Sequence, residues 1–254
     1  MGGPSIPPPI ALSYTYDILR DRAEVQRFTD IVVPDLDEDE ALVLLLMARR
    51  KYLSVEEQDA LSLGNSVVLR RDTLSRKDQL LPRVRELVAE RGAFTDRDGR
   101  PLPEHAFGVY LTLNPRSHRK AAVATIKDLA DRLYEGGRIR VDEVAASHLH
   151  KAVSRKPYLD FDIDLGDGDS LDATLADIAA SLGSTPHHVI ETRGGAHVVV
   201  PTQRLDPAVK KSFYGDVTSL GARMNGEIEV QNDAMVPVPG TCHGGTMPRL
   251  RPGP

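Results

Sequence analysis

The sequence predicts an α+β protein: a sheet with helices on one face in the second part of the chain, preceded by a mainly helical N-terminal region. Three observations carry this. Short β-branched and aromatic runs end at Asn, Pro or Gly, amphipathic stretches of helical period lie between them, and acids in front with bases behind suggest helix ends early in the chain. The boundary falls near residue 100, giving a helical region over 1–100 and a sheet-bearing region over 101–254.

Residues 1–16 form a proline-rich lead-in with no evident chemistry. From Asp37 to Tyr52, acids, an apolar middle (Ala41 to Met47) and the bases Arg49, Arg50 and Lys51 read as a helix whose end charges suit its dipole. Ser54 with Glu57 resembles a capping box for a second helix, and a third is expected from Leu80 to Arg91, ending at Gly92. The character then changes. "FGVYLTL" (107–113) is a strand stopped by Asn114 and Pro115, and a helix follows over 117–135 with Val123, Ile126, Leu129, Ala130 and Leu133 on its apolar face. "PYLDFDIDL" is the next strand, and Leu171, Leu175, Ile178 and Leu182 stripe another helix. "HHVIET" and "AHVVVP" flank Arg193, Gly194 and Gly195 as a hairpin. A helix over 207–224 leads to the strands "EIEVQ" and "AMVPVP".

At 41% hydrophobic residues the chain can build a core, and it contains no apolar run of membrane-spanning length, so a soluble cytoplasmic protein without a membrane partner is expected. The lone Cys242 excludes an internal disulfide and any zinc site built on two or more thiolates of this chain, leaving oxygen and histidine as metal donors. His148, His150, His187 and His188 read as surface or packing residues. The net charge of −5 is uneven: acids crowd into Asp35–Glu40 and Asp160–Asp172, and the remainder is mildly basic, with many of its bases between Arg70 and Lys156. Solvated helix faces account for such runs, and a phosphate-bearing partner is permitted.

The stretch "KPYLDFDIDLGDGD" raises the sharpest question. In a strand, Asp160, Asp162 and Asp164 share one face while Phe161, Ile163 and Leu165 share the other. Adjacent carboxylates repel, so water at an edge or bound cations must compensate; hard oxygen donors favour Mg²⁺ or Mn²⁺. An edge strand guarded by charge against aggregation shows the same pattern. Downstream, "ETRGGAHVVV" places His197 after an Arg-Gly-Gly turn suited to an anion, and "IEVQNDAMVPVPGTCHGG" adds Glu229, Asp233 and His243.

In that order these motifs resemble the catalytic core of the archaeo-eukaryotic primase superfamily: an hDhD strand, a small-x-His strand, and a hydrophobic-acid strand leading to a proline turn. "VYLTLNPRSHRK" is similar to the entry of this core in some members. The resemblance spans about 105–250 and implies an RRM-like primase-polymerase core. It further implies template-directed nucleotidyl transfer from NTPs or dNTPs on single-stranded DNA template and primer, with two divalent ions held by Asp162, Asp164 and Glu229, Asp233 being the second choice for the third acid. His197, Arg193, Gly194, Gly195 and His243 are then the nucleotide contacts; Arg116, Arg119 and Lys120 track template phosphates, and Asp160 supports the metal ligands. The serine frequent in the second motif is not cleanly present. A nucleoid, viral or plasmid replication complex with a helicase or other replication partner is the implied setting. Two other classes fit parts of the pattern: a catalytically silent primase-like nucleic-acid binder, and a metal-dependent glycosyltransferase using the Asp-x-Asp pair.

Overall fold

The computed structural model describes residues 15–136, 139–231 and 233–252. In chain order the elements are α1 (Arg22–Ile31), β1 (Glu40–Arg49), α2 (Val55–Ala60), β2 (Ser66–Leu74), α3 (Leu80–Glu86), β3 (Phe107–Thr112), β4 (Arg116–Ser117), α4 (His118–Glu135) and α5 (Val141–Lys151). They continue with β5 (Tyr158–Asp164), α6 (Leu171–Leu182), β6 (His188–Glu191), β7 (Gly195–Pro201), α7 (Phe213–Leu220), β8 (Glu227–Gln231), β9 (Met235–Pro237) and β10 (Arg249–Leu250). The fold is mixed α+β with antiparallel pairing, and it contains two sheets where the sequence suggested one.

The first sheet runs β2-β1-β3-β9, with β4 added to β1. Its presence corrects the expectation of a mainly helical N-terminal region. The segment read as a helix over Asp37 to Tyr52 is the central strand β1, and its residues from Glu40 to Ala48 are all buried. A strand covered on both faces needs no alternation of polar and apolar residues, which makes a short buried run ambiguous between strand and helix. Leu42, Leu44, Leu46 and Ala48 enter the larger core with Val25, Phe28, Phe107, Val109 and Leu111. Val43, Leu45 and Met47 pack on the opposite face with Tyr110, Leu149 and Met235. This sheet takes β1 and β2 from one side of residue 100 and β3 and β9 from the other.

Three acids of the first tract, Asp35, Asp39 and Glu40, make contacts within the fold. Asp39 accepts from Ser117 Oγ and the Arg119 amide at the start of α4, and Asp35 pairs with Lys77 at 2.7 Å. Glu40, only 4% exposed, is held by Arg155 at 2.9 Å and by Ser154.

The second sheet runs β10-β6-β7-β5-β8. Its apolar face carries Phe161, Ile163, Ala196, Val198 and Val200 and is closed by Ile178 and Leu182 of α6 and Val217 and Leu220 of α7. The other face adds Ile190, Val199 and Leu250 to the larger core, so the two sheets share buried surface. Tyr158 reinforces this union: its hydroxyl donates to the Val32 carbonyl at 2.8 Å, and its amide donates to Asn114 Oδ1 at 3.1 Å.

The capping box at Ser54 and Glu57 starts α2 as expected, and the α6 and β6–β7 hairpin expectations also hold. Helices expected over Leu80–Arg91 and 207–224 are shorter, ending at Glu86 and beginning at Phe213. Of the 1–16 lead-in only Thr15 and Tyr16 fall among the described residues, and Tyr16 is buried. The apolar face assigned to α4 is misplaced. The helix packs on α5 through its Ala121 and Thr125 side, which leaves Val123, Ile126 and Leu133 exposed.

The Glu40 cluster gives a pH signature. Burial opposes its charge, but Arg155, Ser154 and the Asp37 amide prevail and lower its pKa from 4.5 to about 2. Its stabilisation is therefore complete above pH 4.5 and is lost as the pH falls through 2. Glu40→Gln is expected to cost about 2 kcal/mol at neutral pH. In urea unfolding, the gap between variant and wild type should narrow on acidification; a gap independent of pH would refute the assignment.

Candidate functional site

The site grows from the register of three strands. On one face, Asp162 of β5 lies directly between His197 of β7 and Glu229 of β8. The row on one side holds Gly195, Asp164 and Glu227, and the row on the other holds Val199, Asp160 and Gln231. Residues directly opposite in antiparallel strands point to the same face, so the pleat gathers five acids and one histidine there. Burial decreases along β5: Asp160 is fully buried, Asp162 is partly exposed and Asp164 is exposed. The acidic patch thus has a dry end and an open end.

Gly195 is required by this arrangement. A Cβ there would collide with the Ile163 carbonyl, so only glycine lets the hairpin strand approach β5 this closely. Gly194 sits beside Asp164, and Arg193 projects into solvent from the same turn. His197 is 7% exposed, with Nδ1 at 3.1 Å from Asp160 Oδ2 and Nε2 at 3.4 Å from Asp162 Oδ1. Burial disfavours its imidazolium, but Asp160, then Asp162 and Asp164, outweigh this and raise its pKa. Asp162 is raised by burial first, with Asp160 and Asp164 adding and His197 opposing.

Facing the acids across a cleft is the end of β1 and the turn after it. The main cleft, about 930 Å³, is bounded by Lys51, Tyr52 and Glu57 on one side and Asp164, Thr192 and Arg193 on the other. It adjoins a recess of about 170 Å³ where Arg49, Lys51, Tyr52 and Tyr110 meet Asp162 and His197. Arg49, Lys51, Tyr52, Tyr110 and Glu227 were missed by sequence reasoning. The signal for Arg49 and Lys51 was their charge, but it was read as the basic end of a helix. Alternation in "EIE" was the available clue to Glu227.

His243 lines both spaces but is fastened rather than free. Its Nε2 lies 2.7 Å from the Tyr52 hydroxyl and 3.3 Å from that of Tyr110, and the two hydroxyls are 2.6 Å apart. Arg49 Nη1 donates to Tyr110 at 3.2 Å. Burial, with His197 and Lys51 adding, pushes His243 down to about 3, so it is neutral near pH 7 and offers no cation to a phosphate. Cys242 is buried with its pKa raised to about 12, which removes it as a nucleophile.

Glu229 stands opposite Asp162, whereas Asp233 lies beyond the strand end, 3.4 Å from Arg116. Of the three expected phosphate contacts, Arg116 is fully buried and so cannot meet a strand arriving from solvent. It pairs with Ala41, about 26 Å along β1 from Arg49. Arg119 and Lys120 are exposed at the start of α4, and Lys120 Nζ donates to the Val153 carbonyl at 3.0 Å. Among the remaining histidines, His148 is 2.9 Å from Asp128 and His187 Nδ1 is 3.2 Å from the Thr185 carbonyl, as packing residues would be.

Among the described residues, no group of three His, Cys, Asp or Glu side chains is placed so that it could hold a metal ion. By type the donors suit hard divalent cations: Asp162, Asp164, Glu229 and Glu227 are carboxylates on one face, and a cation would offset the burial, and then the neighbouring Asp160 and Asp164, that raise Asp162. Arg116 is expected to be dispensable to this site. Among the described residues its Nε and Nη2 have no partner, and Asp233 is 49% exposed, so Arg116→Met should change stability by less than about 1 kcal/mol in urea unfolding. A loss of several kcal/mol would show that the buried guanidinium is held by more than Asp233.

No family model, curated protein or solved structure matches the chain.

Proposed function

We propose that the protein is a template-directed nucleotidyltransferase with an RRM-like primase-polymerase core, joining nucleoside triphosphates on a single-stranded DNA template. The observation that carries this reading is the cross-strand row of His197, Asp162 and Glu229, with Asp164 one pleat further on: His197, Asp162 and Asp164 line the recess opposite Arg49 and Lys51, and exposed Glu229 flanks Asp162 outside it. Asp162, Asp164 and Glu229 would hold two Mg²⁺ or Mn²⁺ ions. Such ions, when bound, activate the 3′-hydroxyl nucleophile and stabilise the leaving pyrophosphate.

The chain's own groups bind and orient the substrate. Arg193 and the turn at Gly194 face the main cleft, where they suit the triphosphate. Lys51 borders both the cleft and the recess opposite the acids, a position suited to a phosphoryl oxygen. His197 presents Nε2 beside Asp162, within the same space. The fixed phenols of Tyr52 and Tyr110 shape the wall and limit water beside the reacting phosphate. Arg119 and Lys120 remain exposed for phosphate contact, and a helicase or other replication protein fits this activity as partner.

A metal-dependent glycosyltransferase would use Asp162 and Asp164 but has no need of the His197 row. A silent nucleic-acid-binding domain would keep the acids without turnover. Incorporation of labelled NTPs or dNTPs on primed and unprimed templates with Mg²⁺ or Mn²⁺ separates these readings, and absence of product under all conditions would sink the enzyme reading.

Replacing both Asp162 and Asp164 with Ala should abolish synthesis while DNA affinity stays level or rises, because negative charge is removed from the site. Residual synthesis in that variant would overturn the ligand assignment. Lys51→Ala is expected to raise the nucleotide KM about tenfold with a smaller change in kcat, as for loss of one charge-assisted hydrogen bond. An unchanged KM would remove Lys51 from the nucleotide site.

A further inference from the structure

We propose that Asp160 is a positioning residue: it holds the His197 ring by Nδ1 so that Nε2 is delivered to the recess beside Asp162. Strand β5, between β7 and β8, carries three acids on one face, and two suffice as its metal ligands. Asp160 differs physically from the other two. It is fully buried, lies outside the surfaces that line the cleft and the recess, and has Val199 and Gln231 as its cross-strand neighbours. Among the described residues its carboxylate makes hydrogen bonds to one group alone, His197 Nδ1, at 3.1 and 3.3 Å from its two oxygens.

A carboxylate oxygen that accepts from the ring places a hydrogen on Nδ1. That contact fixes the ring plane and aims Nε2 at Asp162, 3.4 Å away. A buried carboxylate that orients an imidazole from behind is a general device for presenting the other ring nitrogen, and at metal-ligating histidines losing such a partner typically costs tenfold or more in affinity or activity. The sequence pattern agrees with the division of labour. Moving along β5 from Asp160 to Asp164 takes the side chains from dry interior to solvent, so the first can anchor only a neighbour and the last can reach a ligand.

The kinetic consequence of this role rests on the nucleotidyl-transfer reading, whereas the Nδ1 contact does not. The test is therefore two-armed. Long-range ¹H–¹⁵N correlation of the full chain without substrate should show His197 protonated at Nδ1. Asp160→Asn, which retains an acceptor oxygen, should keep that proton. Asp160→Leu should release His197 to the Nε2–H form that free imidazole side chains favour. In nucleotide incorporation, Asp160→Leu should raise the nucleotide KM about tenfold, Asp160→Asn less, and Asp160→Leu should add nothing to His197→Ala. A bare Nδ1 in the wild type overturns the proposal, as does a tautomer indifferent to Asp160→Leu or full additivity with His197→Ala. If the leucine variant does not fold, the wild-type and asparagine spectra decide. If the wild type makes no product, the transferase reading fails and the spectra still test the Asp160 role.

Discussion

The constraint on which the rest depends is the pleat of β5 between β7 and β8. Once the register pairs Asp162 with His197 on one side and Glu229 on the other, every second residue of three strands is committed to one face. A slip of one residue would turn Phe161 and Ile163 into the cleft and drive three carboxylates against α6 and α7. The apolar face therefore determines where the acids stand. Burying Phe161 and Ile163 under Ile178, Leu182, Val217 and Leu220 opposes the repulsion among Asp160, Asp162 and Asp164. Stability and chemistry are divided between the two faces of one strand.

Some of this was legible in the sequence. Alternation in "LDFDIDL" identified a half-exposed strand and which side chains share a face, and glycines after Arg193 identified the hairpin. These are local rules acting within a few residues. The helix assigned to Asp37–Tyr52 failed because "ALVLLLM" is buried on both sides, by Phe28 of the preceding α1 on one and by Leu149 of α5, distant in sequence, on the other. The error propagated. With β1 misread as a helix, Arg49 and Lys51 looked like end charges, and the wall of the cleft facing the acids stayed invisible. Arg116 shows the converse limit: its charge suggested a surface role, while its place on β4 against β1 fixes it inside.

In the recess the cationic and acidic side chains stand on different supports. Acids stand on the second sheet, whose backbone fixes their spacing; Arg49 and Lys51 stand at the end of the first sheet, whose core is shared with Val199 and Ile190 of the second. Because the two sheets share that core, the cationic wall and the acidic wall cannot drift apart without exposing apolar surface. The Tyr52–Tyr110–His243 network then stiffens the wall at the junction. Burial keeps both phenols protonated and His243 neutral, so the network conveys geometry without adding charge beside the acids.

This arrangement also explains why three equivalent-looking aspartates are not equivalent. Distance from the shared core sets how much water each can reach, and a carboxylate without water must find a fixed donor. Asp160, enclosed beside Val199, has His197. Asp164, at the open end beside Gly194, has solvent and whatever enters the cleft. Asp162 lies between, touching His197 on one side and the recess on the other, so its charge is the one most sensitive to occupancy of the site. A gradient of burial along a single strand thus converts a repeated residue type into an anchor, a hinge between protein and ligand, and an exposed donor.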